Sequence, residues 1–230
     1  MTTPFTNSLL FIVLPYLAMC LFLLGTIWRY RQAPFTYSSL SSQFLENKQH
    51  FWGLVPFHYG IVAVLTAHVV AFLLPRQILQ WDSRPFRLHA LEVTGLAFAL
   101  LALIGLLAAM VRRLTNSKVR AVTTTLDWVV LLLLLVQVVT GLCVAILHPW
   151  GSAWFAAGIT PYLWSLVRFN PDLAFVAAAP VLVKLHITMA YVLIGVTPFT
   201  RLVHILVTPN PYLWRRPQVV RWYRAPKEVA

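Results

Sequence analysis

The sequence predicts an all-α integral membrane protein: a helical bundle of five transmembrane helices, N-terminus outside and C-terminus cytoplasmic. Three observations carry that expectation. The chain is 60% hydrophobic and only 10% charged, whereas soluble domains are about a quarter charged. Five apolar segments are each long enough to cross roughly 30 Å of hydrocarbon at ~1.5 Å per residue. Lys and Arg cluster in the connectors and the tail, with few inside the apolar runs.

The first span is expected at about 8–28. No basic residue precedes its apolar run, so it reads as a retained span and not as a signal peptide. The second, about 53–74, is bounded by Pro75, and the third, about 88–111, places Glu92 near a boundary. The fourth, about 126–147, is opened by Asp127 and closed by His148-Pro149. The fifth, about 173–207, stops before Pro209 and is longer than a straight crossing requires. Between the last two spans, PWGSAWFAAGITPYLWSLVRFNPD reads as an outer loop with a short interfacial helix, its aromatics at headgroup level. With no internal repeat, residues 1–230 form one membrane domain ending in a cytoplasmic tail, 209–230.

Orientation follows from basic residues. One side holds Arg29, Arg31, Lys48, Arg112, Arg113, Lys118, Arg120, Arg201 and the tail cations Arg215, Arg216, Arg221, Arg224 and Lys227. The other holds Arg76, Arg84, Arg87, Arg168 and Lys184. The richer side is the cytoplasm. Net charge is +12, yet no basic stripe lines a soluble face, so membrane lipid is the expected partner and nucleic acid is not. Cys20 and Cys143 both lie in apolar runs. Without CxxC, CxxCH or Cys/His finger spacing, covalent c-type haem, structural zinc and iron–sulfur clusters lack ligands here.

Seven histidines divide into two groups. His50, His89 and His148 lie in or beside connectors, whereas His58, His68, His186 and His204 fall in spans two and five. A lone intramembrane histidine is as readily a hydrogen-bonded polar residue as a ligand. Two on each of two antiparallel spans suggest more. The topology matches His68 with His186 near the outer face and His58 with His204 near the inner face. Each pair suits one haem iron held by two axial imidazoles. Zinc or copper wants three or more ligands in one cluster, and neither level offers a Cys or carboxylate.

The straight-helix geometry is uneven. His58 and His68 stand ~15 Å and ~80° apart, His186 and His204 ~27 Å apart on one face. Pro198, between the latter two, marks the expected bend. Arg112, Arg113 and Arg201 on the inner side, and Arg76 and Arg87 on the outer, are candidates to meet haem propionates, or simply set topology.

The chain resembles the gamma subunit of membrane-bound respiratory nitrate reductase, a di-haem cytochrome b. The resemblance runs along nearly the whole chain. It is carried by YSSLSSQFLENK, by His58 and His68, by RRLTNSKVRAVTTTLD, by His186, and most sharply by PFTRLVHI, which contains His204. It implies two haem b groups: a distal haem on His68 and His186, a proximal haem on His58 and His204. It also implies quinol (menaquinol or ubiquinol) drawn from the quinone pool and oxidised near the distal haem. Electrons then pass to an iron–sulfur beta subunit and a molybdenum catalytic alpha subunit on the cytoplasmic side of a bacterial or archaeal inner membrane. The family's quinol-binding lysine at the start of span three corresponds here to Arg87, with His89 two residues on. That departure keeps the cation but changes its shape. Nitrate chemistry is not expected on this chain, which has no molybdenum or cluster ligands. The rival expectations are a haem b anchor of another oxidoreductase (formate dehydrogenase, hydrogenase, heterodisulfide-type or nitrite oxidoreductase) and a non-redox transporter or structural anchor.

Overall fold

Proline positions and glycine contacts set the architecture. The computed structural model describes residues 4–33, 36 and 48–206, with the backbone alone at 48–50. The stretch YSSLSSQFLENK, the side chain of His50 and the tail 209–230 lie outside the described residues or side chains. Those described are helical, with no strand among them. Five helices are long and apolar enough to cross a membrane: Pro4–Gln32, Phe51–Leu73, Pro85–Thr115, Thr125–Leu147 and Val181–Phe199.

Helix α1, Pro4–Gln32, contains a widened turn at Leu9–Val13 in which Leu14 N–H donates to Leu9 O. Its cause is Pro15, which has no N–H to give Phe11 O and whose ring crowds that turn. The buried Tyr162 hydroxyl donates to Phe11 O instead, at 2.8 Å. Burial pushes the Tyr162 phenol well above its ordinary range, so it remains a neutral donor.

Helix α2, Lys48–Leu73, ends where Pro75 forces Leu74 out of helical geometry (φ −126°, ψ 51°). Pro75 then opens α3, Pro75–Asp82, within a stretch the sequence reads as a connector. Ala71 O and Phe72 O, left without their next-turn partners, accept from Thr160 Oγ1 (3.4 Å) and Trp164 Nε1 (3.0 Å).

Helix α4, Pro85–Thr115, packs on α2 backbone to backbone. A Cβ added at Gly60 would lie 2.5 Å from Ala102 N and Phe98 O, and one at Gly105 only 2.3 Å from Phe57 N. In lipid, helix association rests on such close packing, since the surroundings are as apolar as the side chains. Asn116 accepts from Lys118 N and Val119 N to start the short α5, Ser117–Ala121. Helix α6, Thr125–Leu147, opens on a capping box: Thr124 N donates to Asp127 Oδ2 (2.8 Å) and Asp127 N to Thr124 Oγ1 (3.3 Å).

Residues 151–167 form α7, with a second widened turn at Phe155–Ile159 just before Pro161. The sequence predicts a loop with a short interfacial helix here, and the structure extends that helix over 151–167. Its inner face is also core: Ile159, Tyr162 and Leu166 pack with Phe11, Ala18, Val176 and Tyr191. The reason is the set of freed carbonyls on α1 and α2, which draw Tyr162, Thr160 and Trp164 inward.

The expected single segment 173–207 is broken. It consists of α8, Ala174–Ala177, and α9, Val181–Val196, followed by 3₁₀ turns at Thr197–Phe199 and Arg201–Leu206. Pro180 (ψ 149°) separates α8 from α9, and Pro198 ends the α-helical hydrogen bonding. The close packing runs in series: α2 on α4, α4 on α6, α6 on α9, α9 on α1. Helices α2 and α9 are not neighbours in that series.

Gly105→Leu is expected to force α2 and α4 apart, costing about 1–3 kcal/mol and lowering the melting temperature of the purified complex. Gly95→Ala, on the same helix with no atom within 4 Å of the added Cβ, is expected to leave it unchanged or raise it slightly.

Candidate functional site

A histidine offered to a metal must first have one ring nitrogen committed, so that the other is fixed in tautomer and direction. His58 and His68 meet this condition within α2 itself. Their Nδ1 atoms lie 2.7 Å from Leu54 O and 2.8 Å from Val64 O, one helical turn back in each case. Bonding to a carbonyl makes Nδ1 the protonated nitrogen and leaves Nε2 as a lone-pair donor. Both rings are exposed in the middle of an apolar helix. Gly53 and Gly60 turn toward α4, and His58, ~140° round the helix from Gly53, faces elsewhere.

His204 is prepared in the same way, its Nδ1 lying 2.6 Å from Arg201 O. The break after Val196 brings it to α2. The His58 and His204 rings stand 6.3 Å apart, centre to centre, with planes at 60°. Two imidazoles on opposite sides of one metal ion, each at roughly 2 Å through nitrogen, have centres about 6 Å apart once each ring's own size is included. The pair fits a bis-imidazole site. The ~27 Å straight-helix separation of His186 and His204 does not apply, because only the part to Val196 is α-helical.

His186 is held from α6. Thr140 Oγ1 lies 3.0 Å from its Nδ1 and Gln137 Nε2 lies 3.3 Å from its Nε2. Gly141 supplies the room, since a Cβ there would come within 2.9 Å of His186 Cε1. His68 is within electrostatic reach of His186 and packs edge-on against Phe155 at 5.3 Å. Among the described residues no three His, Cys, Asp or Glu side chains gather as a conventional metal cluster. Two facing imidazoles without further protein ligands, as at His58 and His204, would suit a macrocyclic iron that brings its own equatorial ligands.

The basic candidates separate. Arg112, Arg113, Arg201 and Asp127 form one electrostatic group where α4, α6 and the Arg201–Leu206 turn meet. Arg112 is buried, Arg113 Nη1 donates to Ala109 O (3.3 Å), and Arg201 pairs with Asp127 through Nε–Oδ1 at 2.8 Å. Asp127 thus lies among three guanidinium groups close to the segment that carries His204. Arg201 has a carboxylate partner of its own, which the sequence reading did not supply. At the other end, Arg87 stacks over Trp81 at 5.0 Å, and both Arg87 and His89 are exposed. A cavity of about 970 Å³ at the end of α2 is bordered by Leu74, Arg76, Trp164, Arg168, Asp172 and Phe175, and its lining includes neither Arg87 nor His89.

Four site residues escape the sequence reading: Gln137, Thr140 and Gly141 around His186, and Arg29, which bonds the broken end of α9. A signal for the first three was available. They interrupt the run LLLLLVQVVTGLC at i, i+3 and i+4, one face of one helix.

Comparison with known proteins places the chain in a family. The family described as nitrate reductase gamma subunit matches residues 7–223. The nitrate reductase gamma chain of Bacillus subtilis (strain 168) is 30% identical over 219 residues, covering 94% of this chain and 98% of that protein. The respiratory nitrate reductase 1 gamma chain of Escherichia coli (strain K12) is 31% identical over 222 residues, covering 94% and 98%. The nitrate reductase-like protein NarX of Mycobacterium tuberculosis (strain ATCC 25618 / H37Rv) is 29% identical over 229 residues, 97% of this chain but 34% of that longer protein. With five membrane-length helices and a family match over almost its whole length, the chain belongs to the nitrate reductase gamma subunits, the membrane part of an oxidoreductase complex.

Proposed function

We propose that the chain is the di-haem b subunit of a quinol:nitrate oxidoreductase. Quinol is oxidised near the outer face of a bacterial or archaeal cytoplasmic membrane. The electrons go to an iron–sulfur beta subunit and a molybdenum alpha subunit on the cytoplasmic side. One observation carries the reading: the His58 and His204 rings, each with Nδ1 committed to a carbonyl, meet at 6.3 Å from two elements far apart in sequence. This pair is the proximal site, and His68 with His186 the distal one. A haem held by each pair would supply a one-electron carrier.

The chain's own residues do the rest. Leu54 O, Val64 O and Arg201 O fix the tautomers of three ligands, and Thr140 steadies the fourth. Gln137 Nε2, 3.3 Å from His186 Nε2, would have to give up that contact for His186 to hold an iron through this nitrogen. Arg112, Arg113 and Arg201 are the guanidinium groups that would meet haem propionates at the inner edge. At the outer edge Arg87, steadied on Trp81, holds the oxygen of a quinol as it loses its proton, with His89 beside it as proton acceptor. Each quinol gives up two electrons and two protons, and the protons leave on the outer side. The N-terminus lies outside and the C-terminus in the cytoplasm, as the distribution of basic residues requires.

A reduced-minus-oxidised visible spectrum of the purified complex is expected to show b-type bands, and their absence sinks the proposal. His68→Ala or His186→Ala should remove one haem and block quinol-driven reduction of the other. Retention of both haems in either variant would make the pairing wrong. Gly141→Val, which pushes into the His186 ring, is expected to lose or perturb the same haem as His186→Ala while sparing that of His58 and His204; equal damage to both haems would contradict the assignment.

A further inference from the structure

We propose that Arg29 is a positioning residue for His204: it clasps the break in the fifth span, and the task requires the shape of a guanidinium, not merely its charge. Its consequence for a haem rests on the function proposed above. The clasp itself rests on hydrogen bonds within this chain.

The break creates a problem that something must solve. α-Helical bonding stops at Val196, Pro198 contributes no N–H, and Thr200 is extended (φ −120°, ψ 179°). Carbonyls stranded in this way at apolar depth need donors from the protein, because lipid offers none. Thr197 and Thr200 take part of the load. Thr197 Oγ1 donates to Leu193 O (2.7 Å), Thr200 Oγ1 to Thr197 O (3.1 Å), and Leu202 N to Thr200 Oγ1 (3.2 Å). Two carbonyls that flank the break, those of Pro198 and Thr200, also receive a side-chain donor from outside the segment. Both accept from a single nitrogen, Arg29 Nη1, at 2.6 and 2.7 Å.

The rest of the guanidinium is used as well. Nη2 donates to Thr36 O at 2.6 Å and Nε to Thr36 Oγ1 at 3.3 Å. Arg29 thus ties the end of α1 to both sides of the break in one planar group. Gly25, one turn earlier on the same face, lets α1 come this close: a Cβ there would be 3.1 Å from both Phe199 Cζ and Pro198 Cβ.

Downstream, the segment is pinned a second time. Arg201 pairs with Asp127 at 2.8 Å and donates to Val122 O at 3.1 Å. His204 sits beyond this pin, with Nδ1 on Arg201 O. Its direction toward His58 is therefore set from two helices, α1 through Arg29 and α6 through Asp127. As a cytoplasmic-side charge, Arg29 could be replaced by lysine without loss. As a clasp it could not, because an ammonium is a point donor and cannot reach Pro198 O, Thr200 O and Thr36 O together.

The test compares wild type, Arg29→Lys and Arg29→Gln in the full-length chain within its assembled complex in lipid nanodiscs. Two readouts are followed: hydrogen–deuterium exchange of peptides covering 197–206, and the low-spin electron paramagnetic resonance signals of the haems. The His204→Ala variant identifies which signal belongs to the proximal site. Both Arg29 variants are expected to raise exchange in 197–206 by roughly tenfold or more. They should also shift or broaden the proximal signal alone. Arg29→Lys keeps the charge, so its folding and orientation are the safer comparison should Arg29→Gln fail to insert. If Arg29→Lys matches wild type in exchange and spectrum, the clasp is overturned. If exchange rises but the proximal signal stays unchanged, the positioning role is overturned. The exchange readout needs no haem, so a wild-type complex without b-type signals would refute the proposed function and leave exchange alone to decide the clasp.

Discussion

Every backbone carbonyl that a proline deprives of its donor must find another inside the protein, and that constraint organises this molecule. In hydrocarbon the alternative is an unsatisfied polar group, which costs several kcal/mol. Pro15 cannot serve Phe11 O, and Tyr162 does. Pro75 ends α2, and Thr160 and Trp164 serve Ala71 O and Phe72 O. The break at Pro198 follows a related logic: Ile194 O, which Pro198 cannot serve, accepts from Thr197 N, and Arg29 donates to Pro198 O and Thr200 O on the far side of the break. Each repair joins segments far apart in sequence, so the prolines act as tertiary cross-links placed through their hydrogen-bond debts.

The candidate site depends on the third of these repairs. A continuous helix would carry His204 along the axis of α9, whereas the break returns it to a ring on α2 at 6.3 Å. Glycine acts in two ways around the same site. At Gly53, Gly60 and Gly105 its lack of a side chain brings two backbones together, which fixes the helix bearing His58 and His68. At Gly141 the same lack makes room for the ring of His186. Close approach and open space are both needed, and neither tolerates a Cβ without movement.

Charge at the inner end does more than set orientation. Arg29, Arg112, Arg113 and Arg201 all count alike in a tally of basic residues, yet their surroundings differ. Arg29 bonds carbonyls, Arg201 pairs with Asp127, and Arg112 is buried. Asp127 serves both α6, as the acidic half of its capping box, and the segment of His204, as partner to Arg201. One side chain thus couples the start of a helix to the placement of a candidate ligand.

The sequence by itself determined the number and order of the membrane-length helices, because apolar runs of the necessary length are a local property. It also singled out four histidines as candidates, since an imidazole in an apolar run stands out without any neighbour being known, and Pro198 marked the bend in the fifth span. What the tertiary structure alone decided is where freed carbonyls find donors. Tyr162, Thr160 and Trp164 read as interfacial aromatics and loop polars until Phe11 O, Ala71 O and Phe72 O lie beside them. Thr140 and Gly141 read as interruptions in a leucine run until His186 lies against them. Arg29 reads as one more inner cation until the broken end of α9 reaches it. Hydrogen bonding and close contact are relations between distant residues, and only folding brings those partners within 3 Å of one another.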